Sequence, residues 1–208
     1  EAAGEDRWVA GSVGPSGRLL MMGDIREEEL FEAFVEQAAA LLRGGADAIC
    51  VETMSALDEA ALAVRAAREA GASEVICTFT FSPAGTNEYR TMMGNDPVEA
   101  ARAAREAGAD IVGANCIAGG EAALAIVRAI RAAEPEVPIL VQPNAGLPTL
   151  VQGQQHWPDG PDELAAWLPR LAEAGAGIIG GCCGTTPAHI RALRAAADDW
   201  MRRRGTTT

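Results

Sequence analysis

Short apolar runs alternate with longer amphipathic segments along most of the chain. The runs are apolar on both faces, which is typical of buried parallel strands, and apolar residues at helical spacing follow each of them. The pattern predicts six strand–helix units of an α/β fold with right-handed crossovers. The predicted strands are residues 8–13, 48–51, 75–81, 111–116, 138–142 and 178–179, and the predicted helices begin near residues 24–27, 55–58, 96, 119, 161 and 187.

A Gly-Ala pair recurs where four of these helices end, at residues 45–46, 71–72, 108–109 and 175–176. Glycine is a common residue just past a helix because it adopts the left-handed conformation without steric cost. The recurrence indicates an internal strand–helix repeat, and we expect a single domain over residues 1–208.

Two designs fit such a repeat, an open doubly wound sheet and a (βα) barrel. No Gly-x-Gly-x-x-Gly turn follows the first strand, as a dinucleotide-binding sheet would require. Polar or thiol residues end the predicted strands, which is where barrel enzymes place their chemistry. We therefore expect a TIM-type (βα) barrel with about six of its eight strand–helix units. The strand-end residues are Ser12, Glu52, Thr80, Cys116, Asn144, Cys182 and Cys183.

Composition narrows the classes of function. The chain has 208 residues, 49% of them hydrophobic, and a net charge of -12 without a basic stripe, so nucleic acid is not an expected partner. All 17 basic residues are arginine, which excludes Schiff-base chemistry on a lysine. No membrane span or signal peptide is recognisable. Five cysteines without a disulfide pattern suit reduced thiols in the cytoplasm.

Cys182 and Cys183 stand between glycines after the last predicted strand. Neighbouring strand residues point to opposite faces, so the two thiols can serve one site only if the backbone turns there, as glycine permits. An inert buried pair is one interpretation. The other is a metal, because with Cys116 three thiolates and one open position would form a catalytic zinc site. Local spacing leaves both open.

Five stretches resemble the homocysteine S-methyltransferases, a family that includes the homocysteine-binding module of cobalamin-dependent methionine synthase. The most specific is Gly-Gly-Cys-Cys-Gly-Thr-Thr-Pro, and Pro-Asn-Ala-Gly-Leu-Pro is most similar to the corrinoid-linked branch. They follow the family's order over nearly the whole chain. The five stretches are residues 9–15, 51–53, 113–116, 143–148 and 180–187.

This resemblance implies a particular site. Cys116, Cys182 and Cys183 would be the zinc ligands, and Asn144 would lie near the metal as a candidate fourth ligand in the absence of substrate. Glu52 would bind the amino group of homocysteine. The predicted substrate-binding residues are Ser12, Glu52 and Asn144.

The expected chemistry follows from the protonation state of the homocysteine sulfur. A thiol reacts as its thiolate, and zinc removes the proton and orients the sulfur. We expect the homocysteine sulfur to displace a methyl group in line and give methionine. The sequence shows no cobalamin- or folate-binding motif, so a methylcobalamin or methyl-folate donor would come from another domain or a corrinoid or folate protein.

One departure from the family concerns the start of the chain. Family members begin with two more strand–helix units, so the chain resembles a truncated member, incomplete at its N-terminal side. An open barrel edge would favour association, including a homo-oligomer. Two alternatives therefore stand beside the methyltransferase: an incomplete barrel that binds zinc or a partner without turnover, and a barrel enzyme that holds a phosphate at the 180–184 turn.

The other two cysteines and both histidines are not predicted to belong to the site. Cys50 and Cys77 lie inside apolar strands and are predicted core residues. His189 is expected on the surface of the last helix, and His156 in a loop without a metal partner. Long loops cover residues 82–95 and 147–160, and the first is a candidate lid.

Overall fold

The computed structural model describes residues 4, 7–86 and 88–205, and it contains the six predicted strand–helix units, with two short strand pairs and a 3-10 helix (Leu20–Met22) in addition. The elements are β1 (Ala10–Val13), α1 (Glu27–Arg43), β2 (Ala48–Met54), α2 (Leu57–Glu69), β3 (Val75–Phe79), β4 (Ser82–Gly85), β5 (Glu88–Arg90), α3 (Pro97–Ala107), β6 (Ile111–Ile117), α4 (Gly119–Ala133), β7 (Ile139–Pro143), β8 (Thr149–Val151), β9 (Gln154–His156), α5 (Pro161–Ala165), α6 (Leu168–Glu173), β10 (Ile178–Ile179) and α7 (Pro187–Arg203).

The described residues form two compact units. The first comprises those up to Thr80 together with Arg90–Val112, and the second comprises those of Phe81–Tyr89 and from Gly113 onwards. In the described part of the chain, no helix has the length and apolarity that crossing a bilayer would require.

The first unit has the strand order β1-β2-β3, with both pairings parallel. Ala10 lies opposite Ala48, and Ile49 lies opposite Val75. β2 and β3 are buried along most of their length, with α2 packed against both, which explains their continuous apolar runs. In β1, exposed residues alternate with buried ones. Along α1 the fully buried residues are Leu30, Phe34 and Ala38, at the predicted helical spacing.

The second unit has the strand order β6-β7-β10, and β10 runs parallel to β7. The backbones of β6 and β7 approach closely at Gly113, where a Cβ atom would lie 1.7 Å from the carbonyl oxygen of Leu140. Glycine is therefore required in the strand that carries Cys116.

The Gly-Ala repeat has the predicted structural role. Gly45, Gly71, Gly108 and Gly175 all have φ between 93° and 111°, in the left-handed region. Each alanine N–H donates back to a carbonyl five residues earlier, as in Ala46 to Leu41 at 3.1 Å. This is the Schellman arrangement, so the prediction that these pairs end helices is confirmed.

Helix starts agree with the sequence where a capping side chain is present. Asp96 caps α3 and Thr186 caps α7, each in a reciprocal capping box. Ser55 and Asp58 were the predicted starts of α2, but its N-cap is Ala56, without a side-chain hydrogen bond. The single helix expected over 161–174 is two helices, because Pro169 has no N–H to donate to the carbonyl of Ala165.

Both long loops contain short strands. β4 and β5 form a two-stranded sheet within 82–95, and β8 pairs antiparallel with β9 within 147–160. The second hairpin turns at Gln152 and Gly153, with φ values of 51° and 79°. Two positive φ values are typical of a type I′ turn.

Candidate metal centre

Three of the five thiols converge in the second unit. Cys116 lies near the end of β6, while Cys182 and Cys183 follow β10. The Sγ atoms of Cys116 and Cys183 are 3.6 Å apart, and those of Cys182 and Cys183 are 4.0 Å apart. All three sulfurs lie within 4.8 Å of one another. The structure thus brings together the three sulfurs that the resemblance named.

Cys116 reaches the cluster through an unusual backbone conformation. Its φ is 54°, in the left-handed region that residues other than glycine seldom adopt. Such a conformation costs about 1–2 kcal/mol, so the surrounding structure must stabilise it. Strained residues of this kind concentrate at functional sites.

The adjacent cysteines share one site because the chain turns at them. The carbonyl of Cys182 accepts hydrogen bonds from the N–H of Thr185 at 3.1 Å and from its hydroxyl at 2.7 Å. Gly184 has a φ of 79°, which favours glycine at that point of the turn. The predicted sharp turn after the last strand is therefore present.

Asn144 connects the ends of three strands. Its side-chain oxygen accepts a hydrogen bond from the backbone N–H of Cys183 at 3.0 Å, and its backbone N–H donates to the carbonyl of Ile117 at 2.9 Å. The next residue, Ala145, donates its N–H to the carbonyl of Cys183. Asn144 thus fixes the turn at residues 182–184, here called the metal turn, against β6, and it lies close to the thiols.

A second amide supports the cluster. Asn115 is almost completely buried, and its side-chain nitrogen donates to the sulfur of Cys182 at 3.9 Å. Sulfur is a weak acceptor unless it is ionised. Sequence reasoning did not assign a role to this residue, although it directly precedes Cys116.

The surroundings of the thiols oppose their ionisation. Burial is the main cause that raises the pKa of Cys116 to about 12. The hydrogen bond with Cys183 and the charges of the neighbouring thiols act in the same direction, while a hydrogen bond from Asn144 lowers it. Burial and the charge of Cys183 raise the pKa of Cys182 as well. A bound cation would reverse this balance, because a coordinating thiol loses its proton.

The cluster has the dimensions of a zinc site. Sulfurs about 2.3 Å from zinc at tetrahedral angles lie about 3.8 Å apart. The separations of Cys183 from Cys116 and Cys182, 3.6 and 4.0 Å, bracket that distance. Cys183 is exposed, whereas Cys116 and Cys182 are half-buried. Three thiols with one side open to solvent suit a metal that keeps a vacant coordination position.

The phosphate alternative finds no support in the turn. A phosphate cradle needs backbone N–H groups that point at the ligand. Within residues 180–184, three of these groups already donate within the protein: Gly180 to Val141, Cys182 to Pro143 and Cys183 to Asn144. The next two residues do the same, Thr185 to Cys182 and Thr186 to His189.

Two predicted substrate-binding residues lie in the first unit. Ser12 is on β1 and Glu52 on β2, and the Ser12 hydroxyl donates to Glu52 Oε1 at 2.5 Å. The structure therefore brings this pair together at the ends of adjacent parallel strands. The following residue, Thr53, is the sixth residue of β2 and has a φ of 63°. Cys116, the sixth residue of the equally long β6, also has a positive φ, of 54°.

Of the other residues with a predicted position, some lie where the sequence placed them and one does not. Cys50 and Cys77 are buried, as expected of core residues, and His156 is exposed. The prediction that His189 lies on the surface was wrong: it is buried, and it hydrogen-bonds Thr186 and the carbonyl of Asp159. Glu59 was not anticipated either; it is buried and accepts two hydrogen bonds from Ser16.

Comparison with known sequences gives consistent matches. A family model described as homocysteine S-methyltransferase matches residues 1–197. The methionine synthase of Mycobacterium tuberculosis (strain ATCC 25618 / H37Rv) is 37% identical over 202 residues, which cover 94% of this chain and 16% of the relative. That of Mycobacterium leprae (strain TN) is 38% identical over 192 residues, with 91% and 16% covered. The chain thus spans 16% of the length of these two relatives.

Solved structures show the same relationship. The apo form of the homocysteine methyltransferase MmuM from Escherichia coli matches with a TM-score of 0.70 and 27% identity over 91% of this chain and 63% of that chain. Its metallated form matches with a TM-score of 0.65 and 28% identity over 90% and 60%. With the six strand–helix units, this likeness confirms the predicted α/β fold of the (βα)-barrel type.

Proposed function

The chain belongs to the homocysteine S-methyltransferase family, and from this premise we propose that it is a zinc-dependent enzyme that methylates the thiol of homocysteine to give methionine. The observation that carries the proposal is the convergence of three thiols within 4.8 Å in the second unit. The proposed metal ligands are Cys116, Cys182 and Cys183, with Asn144 as a fourth ligand when substrate is absent.

Zinc at this cluster would keep its ligands ionised and would hold the incoming homocysteine sulfur as a thiolate. The chain's own residues supply the conditions for this. Three thiolates concentrate negative charge, which leaves a sulfur bound beside them electron-rich and suited to attack a methyl group. Asn144 and Asn115 place amide donors against the sulfurs and restrain the ligands.

The amino-acid end of the substrate needs a different set of groups. We propose that the carboxylate of Glu52 binds the ammonium group of homocysteine and that Ser12 and Asn144 complete the substrate site. The hydrogen bond from Ser12 supports this proposal because it restrains the Glu52 carboxylate. A charge-assisted contact of this kind contributes roughly 1.5–3 kcal/mol.

We propose that residues 1–208 act as one homocysteine-binding domain and that a methyl-corrinoid or methyl-folate is presented by another domain or protein. The methionine synthases that it matches are much longer, since the chain covers 16% of each. Thiol ligands of this kind must stay reduced, which suits the cytoplasm.

Metal analysis and a transfer assay test this function together. The wild-type protein is expected to bind one zinc and to form methionine from homocysteine and methylcobalamin or methyl-folate. Cys116→Ser, Cys182→Ser and Cys183→Ser should each lower both zinc content and turnover. Cys77→Ala is the matched control, because this thiol is buried outside the cluster and its loss should leave the zinc content unchanged.

The outcomes separate the candidate functions. Zinc retained at wild-type level in all three serine variants would exclude the thiol site. Zinc binding that depends on the three cysteines, without methionine formation from either donor, would favour a domain that binds metal without turnover.

A further inference from the structure

The loop between β7 and α5 returns to the metal turn after its exposed hairpin. Residues 147–156 are exposed wherever the structure describes their side chains, but Trp157 is half-buried. Its indole lies against Gly184, the residue after Cys183: a Cβ atom at Gly184 would come within 2.3 Å of the indole ring. The ring therefore covers the backbone of the turn that presents Cys183.

A second contact fixes the same loop. His189 on α7 is buried, its Nε2 lies 3.0 Å from the carbonyl oxygen of Asp159, and its Nδ1 lies 3.1 Å from the N–H of Thr186. Because a carbonyl can only accept, the network assigns the proton to Nε2 and leaves Nδ1 as the acceptor from Thr186. The neutral ring thus joins the end of the loop to the residue that caps α7, three positions after Cys183.

Both contacts lie beside the metal turn. The indole of Trp157 lies against Gly184, and His189 hydrogen-bonds the loop at Asp159 and the chain at Thr186. Cys183 is the most exposed of the three clustered thiols, and its backbone is also held by hydrogen bonds with Asn144 and Ala145. Residues outside the ligand set commonly change metal affinity 10–100-fold by orienting the ligands.

We propose that Trp157 and His189 are positioning residues of the thiol site, and that the loop over residues 147–160 serves to hold the metal turn in its binding geometry. The inference rests on the zinc binding proposed above. It assigns to this loop a role in metal retention and in the geometry of Cys183, not a contact with the reacting atoms.

Metal affinity of matched variants tests the inference. In chelator competition, Trp157→Ala should weaken zinc binding about tenfold or more, whereas Trp157→Phe, which keeps a flat ring over Gly184, should stay within about threefold of wild type. His189→Ala should weaken binding in the same direction. Trp200→Ala is the control, since this half-buried tryptophan packs against a separate cluster formed by Leu164, Leu168 and Leu193.

Two further readouts separate positioning from a general loss of stability. With cobalt(II) in place of zinc, the sulfur-to-metal charge-transfer bands should change in Trp157→Ala but not in Trp200→Ala. In the metal-free protein, Cys183 should react faster with an alkylating reagent in Trp157→Ala. If that variant does not fold, Trp157→Leu, which retains apolar bulk without the flat ring, carries the comparison.

The results distinguish this inference from the proposed function. A wild-type protein that binds no metal at its thiols contradicts the proposed function, and the alkylation rates still test whether Trp157 positions the turn. A variant with wild-type metal affinity, cobalt spectrum and alkylation rate overturns the assignment of the substituted residue.

Discussion

Cys50 and Cys77 lie outside the group of three thiols that could hold a metal ion among the described residues. Burial, followed by the charge of Glu52, raises the pKa of Cys50 to about 12. Burial and the neighbouring Cys50 raise the pKa of Cys77 still further. Both thiols therefore keep their protons in the folded protein under conditions where an unfolded chain would lose them.

This difference predicts a loss of stability in alkali. Above about pH 8.5 the unfolded state releases the thiol proton that the folded state retains, so the free energy of unfolding falls by about 1.4 kcal/mol per pH unit for each such thiol. The fall continues until the pH reaches the folded-state pKa, about 12 for Cys50. Cys50→Ala should therefore flatten the slope of stability against pH between about 8.5 and 11 by that amount, as measured by urea unfolding.

The amino-acid composition limits the number of side chains that titrate in this pH range. The chain has no lysine and one tyrosine, so the other side chains that titrate in this range are mainly the four remaining cysteines, which Cys50→Ala and its control variant both retain. Val51→Ala, a buried neighbour without a titrating group, should lower stability at every pH without changing the slope. An unchanged slope in Cys50→Ala would contradict the argument.

The residue types along the sequence predicted the convergence of the thiols better than they predicted the burial of the neighbouring polar residues. Two adjacent cysteines between glycines, and a third after an apolar run, identified the cluster together with the family resemblance. The burial of His189 was missed because its acceptor, the carbonyl of Asp159, comes from a loop 30 positions earlier. Helical spacing contains no information about such a partner.

At the scale of elements, two arginines make equivalent hydrogen bonds to backbone carbonyls near the ends of helices. Arg68, in the last turn of α2, donates to the carbonyls of Ala72, Ser73 and Gly108, and it pairs with Asp110. Arg131, near the end of α4, donates to the carbonyls of Glu134, Pro135 and Gly175. Each thus donates to carbonyls just beyond its own helix and to the glycine that follows a later helix, which is α3 for Arg68 and α6 for Arg131.

Arg68→Ala should destabilise the protein by about 2 kcal/mol, because several carbonyls and one carboxylate lose a charged donor together. Arg68→Lys should not restore the loss, since an ammonium group lacks the planar fork that reaches them. Urea unfolding measures both effects.

Arg65 on the same helix is the matched control. Its pairing with Glu27 is exposed and 3.5 Å long, so Arg65→Ala should cost less than about 0.5 kcal/mol. Equal losses in Arg65→Ala and Arg68→Ala would show that the carbonyl contacts of Arg68 contribute nothing specific.

A second element-scale prediction concerns the close approach of β6 and β7. Gly113→Ala would place a methyl group 1.7 Å from the carbonyl of Leu140, so the strands would have to separate. We expect a loss of more than about 3 kcal/mol, together with loss of metal binding, because Cys116 lies on the displaced strand.

Gly177→Ala provides the comparison in the same unit. Apart from its chain neighbours, no atom in the described part of the chain lies within 4 Å of the position of its Cβ, and its φ is not in the left-handed region. The substitution should therefore be neutral or stabilise by about 0.4–1 kcal/mol. Thermal unfolding of the two variants side by side is the measurement, and a mild effect of Gly113→Ala would contradict the close approach.

Element boundaries could be predicted where local chemistry sets them. Asp96, Thr186 and the Gly-Ala pairs mark helix ends through their own side chain or backbone freedom, and the structure has the ends there. The strands within 82–95 and 147–160 were missed, because polar runs of three or four residues lack the apolar pattern from which strands are inferred. Their pairing depends on turns and on the surface that they cover.

At the scale of the whole molecule, the two units contain different sets of the residues predicted for the site. The three thiols, Asn115 and Asn144 belong to the second unit, whereas Ser12 and Glu52 belong to the first. The succession of strands and helices could be predicted from hydrophobic periodicity. The division into units could not, because the sequence repeat is the same in both.

The last prediction follows from this distribution. Zinc that binds only the folded protein stabilises it by RT ln(1 + [Zn]/Kd), which is about 2.7 kcal/mol at a hundredfold excess over Kd. Cys182→Ser should lose this increment, and a chelator should remove it from the wild type. Hydrogen exchange should show the gained protection in segments 113–118, 143–146 and 180–187, because Cys116, Asn144, Cys182 and Cys183 lie there. Protection that appeared mainly in residues 10–80 would instead place the metal in the first unit, away from the clustered thiols, and the zinc site proposed for this chain would be wrong.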